Sequence, residues 1–136
     1  KKSLDSTSKI EYATLNMLSN EYPGLINHQM IRISDNKIIF DAIYQQDKKD
    51  IIFEIKIFKK GLEIGMANYI LNRFSDAINL YKNISHKDKV EGVLVIVSDF
   101  EKLGGDKYKS QLKYNLNTVL KEHKDISLKF VDINNL

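Results

Sequence analysis

Two acidic residues and one lysine interrupt apolar segments of the chain, where charged side chains are uncommon. Asp41 and Glu54 each follow an Ile-Ile-Phe run, and Lys56 lies two positions after Glu54. Residues two apart in an extended strand project from the same face. The spacing therefore predicts that the Glu54 carboxylate and the Lys56 ammonium share one face of a strand.

A tight turn at Asp47-Lys48 is predicted to join the two apolar segments into a hairpin. If the turn has two residues, counting outward from it along both strands places Asp41 opposite Glu54. Directly opposed residues share a face and have Cβ atoms about 4.5–5.5 Å apart. Two carboxylates and one ammonium are thus expected to converge on one patch of sheet.

Such a cluster is costly as plain structure, because the carboxylates repel each other and lose solvation. A divalent cation resolves this conflict, and Mg²⁺ is typically held by one or two carboxylates together with substrate phosphate oxygens. We expect Asp41, Glu54 and the backbone carbonyl of Ile55 to bind Mg²⁺, with Mn²⁺ as a substitute. Lys56 would orient or help deprotonate the attacking water, or neutralise the transition state.

The surrounding sequence predicts an α/β fold with the order α-β-β-β-α-β-α-β. Apolar residues recur at helical spacing over residues 8–20, 61–83 and 108–123. Extended patterns cover residues 29–34, 37–46, 50–58, 90–98 and 126–133, with a turn at Asp35-Asn36 between the first two. An antiparallel meander is expected first, followed by parallel strands, because strand–helix–strand crossovers favour parallel pairing.

The apolar pattern predicts which side of the first two helices is buried. In the first helix the expected stripe is Ile10, Ala13, Met17 and Leu18, with Thr14 tolerated within it and Leu15 on its flank. In the second helix the expected stripe is Met66, Ile70, Phe74, Ala77, Ile78 and Tyr81, and Tyr69 also fits it.

The acidic pair and the lysine resemble the motif of the PD-(D/E)XK nuclease superfamily. The likeness consists of Asp41, a gap of twelve residues and then Glu54-Ile55-Lys56, placed after a helix and a strand and before a helix and a strand. It implies that Asp41 and Glu54 are metal ligands, that Lys56 is the catalytic lysine and that the substrate is DNA. Phe40 departs from the family name, which has Pro at this position.

The resemblance also implies a fold. It covers residues 8–98 as a restriction-endonuclease-like αβββαβ core, with a mixed central sheet flanked by helices. Residues 99–136 would add a C-terminal helix and strand, so that residues 1–136 form a single domain.

An acidic residue followed two positions later by lysine is a weak motif by itself. It occurs four times, at Asp35, Asp47, Glu54 and Glu122. Only Glu54 lies within an apolar strand with an upstream aspartate at hairpin spacing. The alternative is a solvent-facing patch of charges on an amphipathic hairpin.

Glu11 is a candidate accessory residue with two interpretations. In several branches of the family, an acidic residue on the first helix joins the metal site. Ser8 and Glu11 also fit a capping box, in which the glutamate would bond to the Ser8 amide. Both interpretations remain open at the level of sequence.

Four further residues are candidates for contact with nucleic acid. Lys59 and Lys60 follow the third strand and could reach phosphates, or they could be a solvated strand end. Asn72 and Arg73 lie on the second helix, where related nucleases often place residues near the site. The three histidines, His28, His86 and His123, lack metal-ligand spacing and are expected at the surface, in loops and at a helix end.

Composition limits the class of protein. The 136 residues suit one domain, the net charge of +3 suits a polyanion, and the lack of cysteine favours a cytoplasmic setting. No apolar run approaches the roughly 20 residues needed to cross a bilayer, so no membrane contact is expected. The start at Lys1 without a methionine fits a domain excised from a longer protein.

DNA is the expected partner, and RNA, a homodimer or fusion to a further domain are also compatible with the sequence. Two other functions compete with a nuclease. One is a catalytically inactive nuclease-fold module that binds nucleic acid or a protein partner. The other is a structural or oligomerisation domain whose hairpin face is merely exposed to water.

Overall fold

Five strands and four α-helices make up the computed structural model, which describes residues 6–33 and 36–136. The elements follow in the order α1 (Ser6–Glu21), β1 (Ile26–Ile33), β2 (Asn36–Gln45), β3 (Lys49–Phe58), α2 (Ile64–Ser85), β4 (Lys89–Ser98), α3 (Phe100–Leu103), α4 (Asp106–Leu120) and β5 (Ile126–Asp132), with a final 3₁₀ turn at Ile133–Asn135. The short helix α3 and the 3₁₀ turn were not predicted. The other elements match the predicted order.

The strands form one mixed sheet in the order β1-β2-β3-β4-β5. β1, β2 and β3 pair antiparallel, and β3, β4 and β5 pair parallel. The antiparallel strands have short connections, whereas α2 and then α3 with α4 supply the crossovers that parallel pairing requires. The prediction of an α/β fold with a mixed sheet flanked by helices is confirmed.

Helices cover both faces of the sheet. α2 and α4 pack on one face over a core that includes Phe40, Ile52 and Leu94. α1 packs on the other face, over a second core that includes Leu18 and Phe53. β4 is buried on both sides, which accounts for its nearly continuous apolar sequence.

The first part of the chain differs from its predicted boundaries. α1 begins at Ser6 and β1 begins at Ile26, earlier than predicted. Leu15 was expected on the flank of the helix but is 3% exposed and belongs to the core, because α1 turns this side towards the sheet. Ser34 and Asp35, in the predicted turn after β1, lie outside the described residues.

The buried stripe of α2 is also rotated from the prediction. Its buried residues are Ala67, Leu71, Phe74, Ile78 and Tyr81. Met66 and Tyr69 were expected in the stripe but are 52% and 55% exposed. Ala67 and Leu71 are fully buried, and Met66 and Tyr69 lie on other sides of the helix, so their side chains point towards solvent.

Gly92 sets the close approach between α2 and the sheet. A side chain at this position of β4 would overlap with Ile78 and Phe74 of α2. The helix therefore packs directly on the strand backbone at this point. Among the described residues, no helix has the length and apolar character needed to span a membrane.

Candidate active site

A fork between β2 and β3 creates the site. Their backbone pairing runs from the turn to Ala42–Phe53 and stops there, in the register that the two-residue turn predicted. The next pair in that register would be Asp41 and Glu54. Beyond this point β2 pairs with β1, and β3 pairs with β4, so the two strands diverge where the acidic residues lie.

At the fork, the Asp41 side chain accepts a hydrogen bond from the main chain of β3. The Ile55 amide donates a hydrogen bond to Asp41 Oδ2 at 2.7 Å. The Gln46 amide donates to the Lys49 carbonyl, and hydrogen-bonded pairs alternate along an antiparallel ladder. If this ladder continued, the Ile55 amide would donate to the Phe40 carbonyl. A side-chain oxygen thus replaces a main-chain oxygen, and the bond orients the Asp41 carboxylate across the fork.

β2 also twists at Asp41. Gln29 pairs with Phe40 and Asn27 with Ala42, but the intervening His28–Asp41 pair is missing from the ladder. Phe40 packs under α2 and Ala42 under α1, although residues two apart normally share a face.

His28 lies on β1 at the position opposite Asp41. Its φ of 50° is a left-handed conformation that non-glycine residues seldom adopt within a strand. The prediction of a loop position is wrong, because His28 lies inside β1, although it is exposed as expected. Nothing in the sequence pattern distinguishes His28 from its neighbours, so its proximity to Asp41 was missed.

Glu54 and Lys56 share a face of β3 and form an ion pair, with Lys56 Nζ 3.6 Å from Glu54 Oε2. Burial raises the pKa of Glu54 to about 7, with a further contribution from the nearby Asp41 carboxylate, while Lys56 acts in the opposite direction. Burial also raises the pKa of Asp41, partly offset by the Ile55 amide and Lys56. The two acids are therefore crowded and poorly solvated, as the sequence predicted.

Glu11 lies near this pair. It is half-buried on α1, and its charge adds to the rise in the pKa of Glu54. The capping-box interpretation does not fit, because α1 begins at Ser6 and Ser8 is already inside the helix. An N-cap residue must precede the helical turn that it caps.

The candidate metal ligands fit a small, hard cation. The amide and carbonyl of one strand residue point to the same side, so the Ile55 carbonyl faces the fork as its amide does. Asp41, Glu54 and this carbonyl would supply three oxygens, and Mg²⁺ commonly takes its remaining ligands from water and phosphate. Within residues 6–33 and 36–136 no group of three or more His, Asp or Glu side chains is arranged to hold a metal ion.

A cleft of about 830 Å³ extends from the Glu54–Lys56 pair, between the first half of β2 and helix α2. Arg73 lines this cleft, as does Tyr69. Asn72 is exposed and is not among the lining residues. Arg73 is therefore better placed than Asn72 for the predicted contact with substrate.

Lys59 and Lys60 lie elsewhere. They are exposed in the turn after β3 and line a neighbouring cleft of about 730 Å³, which shares Ile70 with the first cleft. Their position permits contact with a polyanion that extends past the site. They do not lie beside Glu54.

No family model, curated protein or solved structure matches this chain. The assignment of the site therefore depends on its residues and their geometry. The most informative feature is the position of both acids and the lysine at one fork in the sheet.

Proposed function

We propose that this protein is a divalent-metal-dependent nuclease that hydrolyses phosphodiester bonds in DNA. One observation carries the proposal: Asp41, held by the Ile55 amide, lies at the fork beside the Glu54–Lys56 ion pair. Two half-buried carboxylates next to a lysine are costly without a cation, and a cation gives them a role.

The resemblance to the PD-(D/E)XK superfamily supports the proposal, and we extend it to a restriction-endonuclease-like fold. The order of helices and strands agrees with the αβββαβ core expected from that resemblance. Phe40, the departure from the motif, is 1% exposed and packs edge-on against Tyr81 with ring centroids 5.8 Å apart. An apolar residue is needed at this position because it faces the core under α2.

Asp41, Glu54 and the Ile55 carbonyl would hold Mg²⁺, or Mn²⁺ in its place. When bound, such an ion would supply charge stabilisation to the phosphoryl group and lower the pKa of a bound water. Asp41 needs little reorganisation to take part, because the Ile55 amide already orients it. Glu54 must lose the proton that its raised pKa favours at slightly acidic pH, so metal binding should strengthen as pH increases.

Lys56 has donors to spare for the reaction. A lysine ammonium has three N–H donors, and at most one of them points towards Glu54, whose Oε2 lies 3.6 Å from Lys56 Nζ as an ion-pair partner. The remaining donors can hold the attacking water or a phosphate oxygen and offset the negative charge that develops there. Glu11 would act from α1 on the charge of Glu54.

The test is a cleavage assay on linear, circular, single-stranded and branched DNA, with Mg²⁺, with Mn²⁺ and with EDTA. Lys56→Ala is compared with Lys121→Ala, a matched change at an exposed lysine after α4. We expect metal-dependent cleavage, a loss of about 10²–10⁴-fold in Lys56→Ala and no loss in Lys121→Ala.

The proposal fails if the wild type cleaves none of these substrates, or if Lys56→Ala retains full activity. Calorimetric titration with Mg²⁺ then separates the competing functions. A saturable site without cleavage would indicate a metal-binding module, and no saturable site would indicate a structural or binding domain.

A further inference from the structure

The cleft beside Glu54 and Lys56 has a mixed lining that a phosphate-binding surface would not need. Its cations are Lys37, Lys56 and Arg73, its acids are Glu54 and Asp76, and its apolar lining residues include Ile38, Ile39 and Phe74. Ile39 is 57% exposed, so apolar surface is open to solvent at this point. Ligand pockets commonly have this character, with apolar walls and a few polar groups that orient the ligand.

Tyr69 adds an accessible aromatic ring to the cleft. The residue is 55% exposed, and its hydroxyl accepts a hydrogen bond from Arg73 Nη1 at 2.9 Å. The Arg73 guanidinium carbon lies 5.5 Å from the ring centroid. The arginine one helical turn away thus contacts the tyrosine, while much of the tyrosine side chain stays exposed.

We propose that this cleft binds an unpaired nucleotide, with its base stacked on Tyr69 and its phosphate near Arg73 and Lys37. The substrate is then single-stranded or locally opened nucleic acid. This inference rests on the proposed function, because the cleft begins at the Glu54–Lys56 pair.

Base geometry explains the preference for an unpaired nucleotide. In a duplex the faces of the bases are stacked on one another, and only their edges and the phosphates are accessible. An aromatic ring can stack on a base only when that base is single-stranded or has been moved out of the helix. The apolar wall at Ile39 would cover the base, whereas it would contribute little to a phosphate.

Binding in EDTA tests this inference without any need for cleavage. Fluorescence anisotropy is measured with three labelled probes of equal length: single-stranded oligo(dT), the same deoxyribose phosphate chain without bases, and a duplex. The proteins are the wild type, Tyr69→Ala, Tyr69→Phe and Tyr114→Ala. Tyr114 is a matched control, because it is 70% exposed on α4 and does not line the cleft.

We expect the wild type to bind oligo(dT) about 5- to 100-fold more tightly than the chain without bases. Tyr69→Ala should lose this advantage and bind both probes alike. Tyr69→Phe should retain it because the ring remains, and Tyr114→Ala should behave as the wild type. Binding of the duplex should be weaker than that of oligo(dT) and insensitive to Tyr69→Ala.

The inference is overturned if the wild type binds all three probes equally well. It is also overturned if Tyr69→Ala keeps the preference for oligo(dT) over the chain without bases, or if Tyr69→Ala weakens binding of the duplex as much as binding of oligo(dT). Its failure is distinct from failure of the proposed function. Metal-dependent cleavage with no effect of Tyr69 would remove this inference alone. Base-dependent binding without cleavage in the presence of Mg²⁺ or Mn²⁺ would contradict the proposed nuclease function and leave this inference intact.

Discussion

The Asp41 carboxylate accepts the amide hydrogen of Ile55 at 2.7 Å, at the point where β2 and β3 stop pairing. This one contact has two consequences. It satisfies a main-chain donor that the fork would otherwise leave without its ladder partner, and it holds a poorly solvated charge beside Glu54. Substitutions can separate the structural consequence from the electrostatic one.

Asp41→Asn keeps a side-chain oxygen for the Ile55 amide and removes the charge. We expect the metal-free variant to unfold at a urea concentration equal to or above that of the wild type at pH 8, because a desolvated charge is gone. Mg²⁺ affinity should fall sharply in calorimetric titration. Asp41→Ala should be less stable than Asp41→Asn by about 1–3 kcal/mol, since the amide loses its acceptor. Equal Mg²⁺ affinity in Asp41→Asn and wild type would argue against a metal ligand.

Glu54 should make the stability of the metal-free protein depend on pH. Its pKa is about 7 when folded against an ordinary value of 4.5, so the folded state binds this proton more tightly. The contribution to stability is full below about pH 4.5 and is lost as pH rises towards and through 7, by up to about 3 kcal/mol. Glu54→Gln should therefore gain stability relative to the wild type between pH 5 and pH 8.

Urea denaturation at those two pH values measures this difference, with Glu122→Gln as the control at an exposed glutamate. Adding Mg²⁺ should stabilise the wild type more at pH 8 than at pH 5, because the ion competes with the proton. If the difference in unfolding free energy between Glu54→Gln and the wild type is the same at pH 5 and pH 8, the Glu54 carboxyl titrates normally.

Glu11→Gln should lower the pKa of Glu54, because Glu11 is one of the charges that raise it. A carboxyl-detected NMR titration of the metal-free protein measures this shift directly. Glu101→Gln, at an exposed residue of α3, should cause none. If Glu11 is also a ligand, Mg²⁺ affinity falls together with the pKa. If Glu11→Gln lowers the stability of the protein but leaves the pKa of Glu54 unchanged, Glu11 instead stabilises helix α1.

A second buried acid tests the framework rather than the site. Asp50 is fully buried, accepts a hydrogen bond from the Tyr81 hydroxyl at 2.5 Å and lies 3.3 Å from Lys87 Nζ. Lys87→Met leaves a buried carboxylate without its cation and should cost about 3–5 kcal/mol in urea denaturation. Lys82→Met, at an exposed position in the last turn of α2, should cost little. Equal effects of the two variants would show that the pair with Asp50 is not important for stability.

Gly92→Ala probes the packing that positions α2. The added methyl group would overlap with Ile78 and Phe74, so we expect a loss of about 1–3 kcal/mol. Gly61→Ala adds the same group where no atom lies within 4 Å and should change stability little. Thermal unfolding of both variants beside the wild type measures the difference. A stable Gly92→Ala protein would mean that α2 can shift away from the sheet.

The register of the β2–β3 hairpin was predictable from sequence. The turn at Asp47-Lys48 and the two-residue period of a strand determine which positions can face each other, and the observed Ala42–Phe53 pair agrees with the count. The side-by-side placement of Glu54 and Lys56 follows from the same period. These relationships depend on local geometry, so they can be read along the chain.

Other features of the site come from contacts between distant segments. Three features coincide where β2 changes the helix against which it packs: the left-handed backbone of His28, the missing His28–Asp41 pair and the end of the β2–β3 ladder. The exposure of Tyr69 depends on how α2 is seated over Gly92. Sequence alone determined which residues could meet at the hairpin. Tertiary packing decided that the strands separate there and leave a cleft. The reason is that burial of each face of the sheet depends on helices distant in sequence, which local residue spacing does not specify.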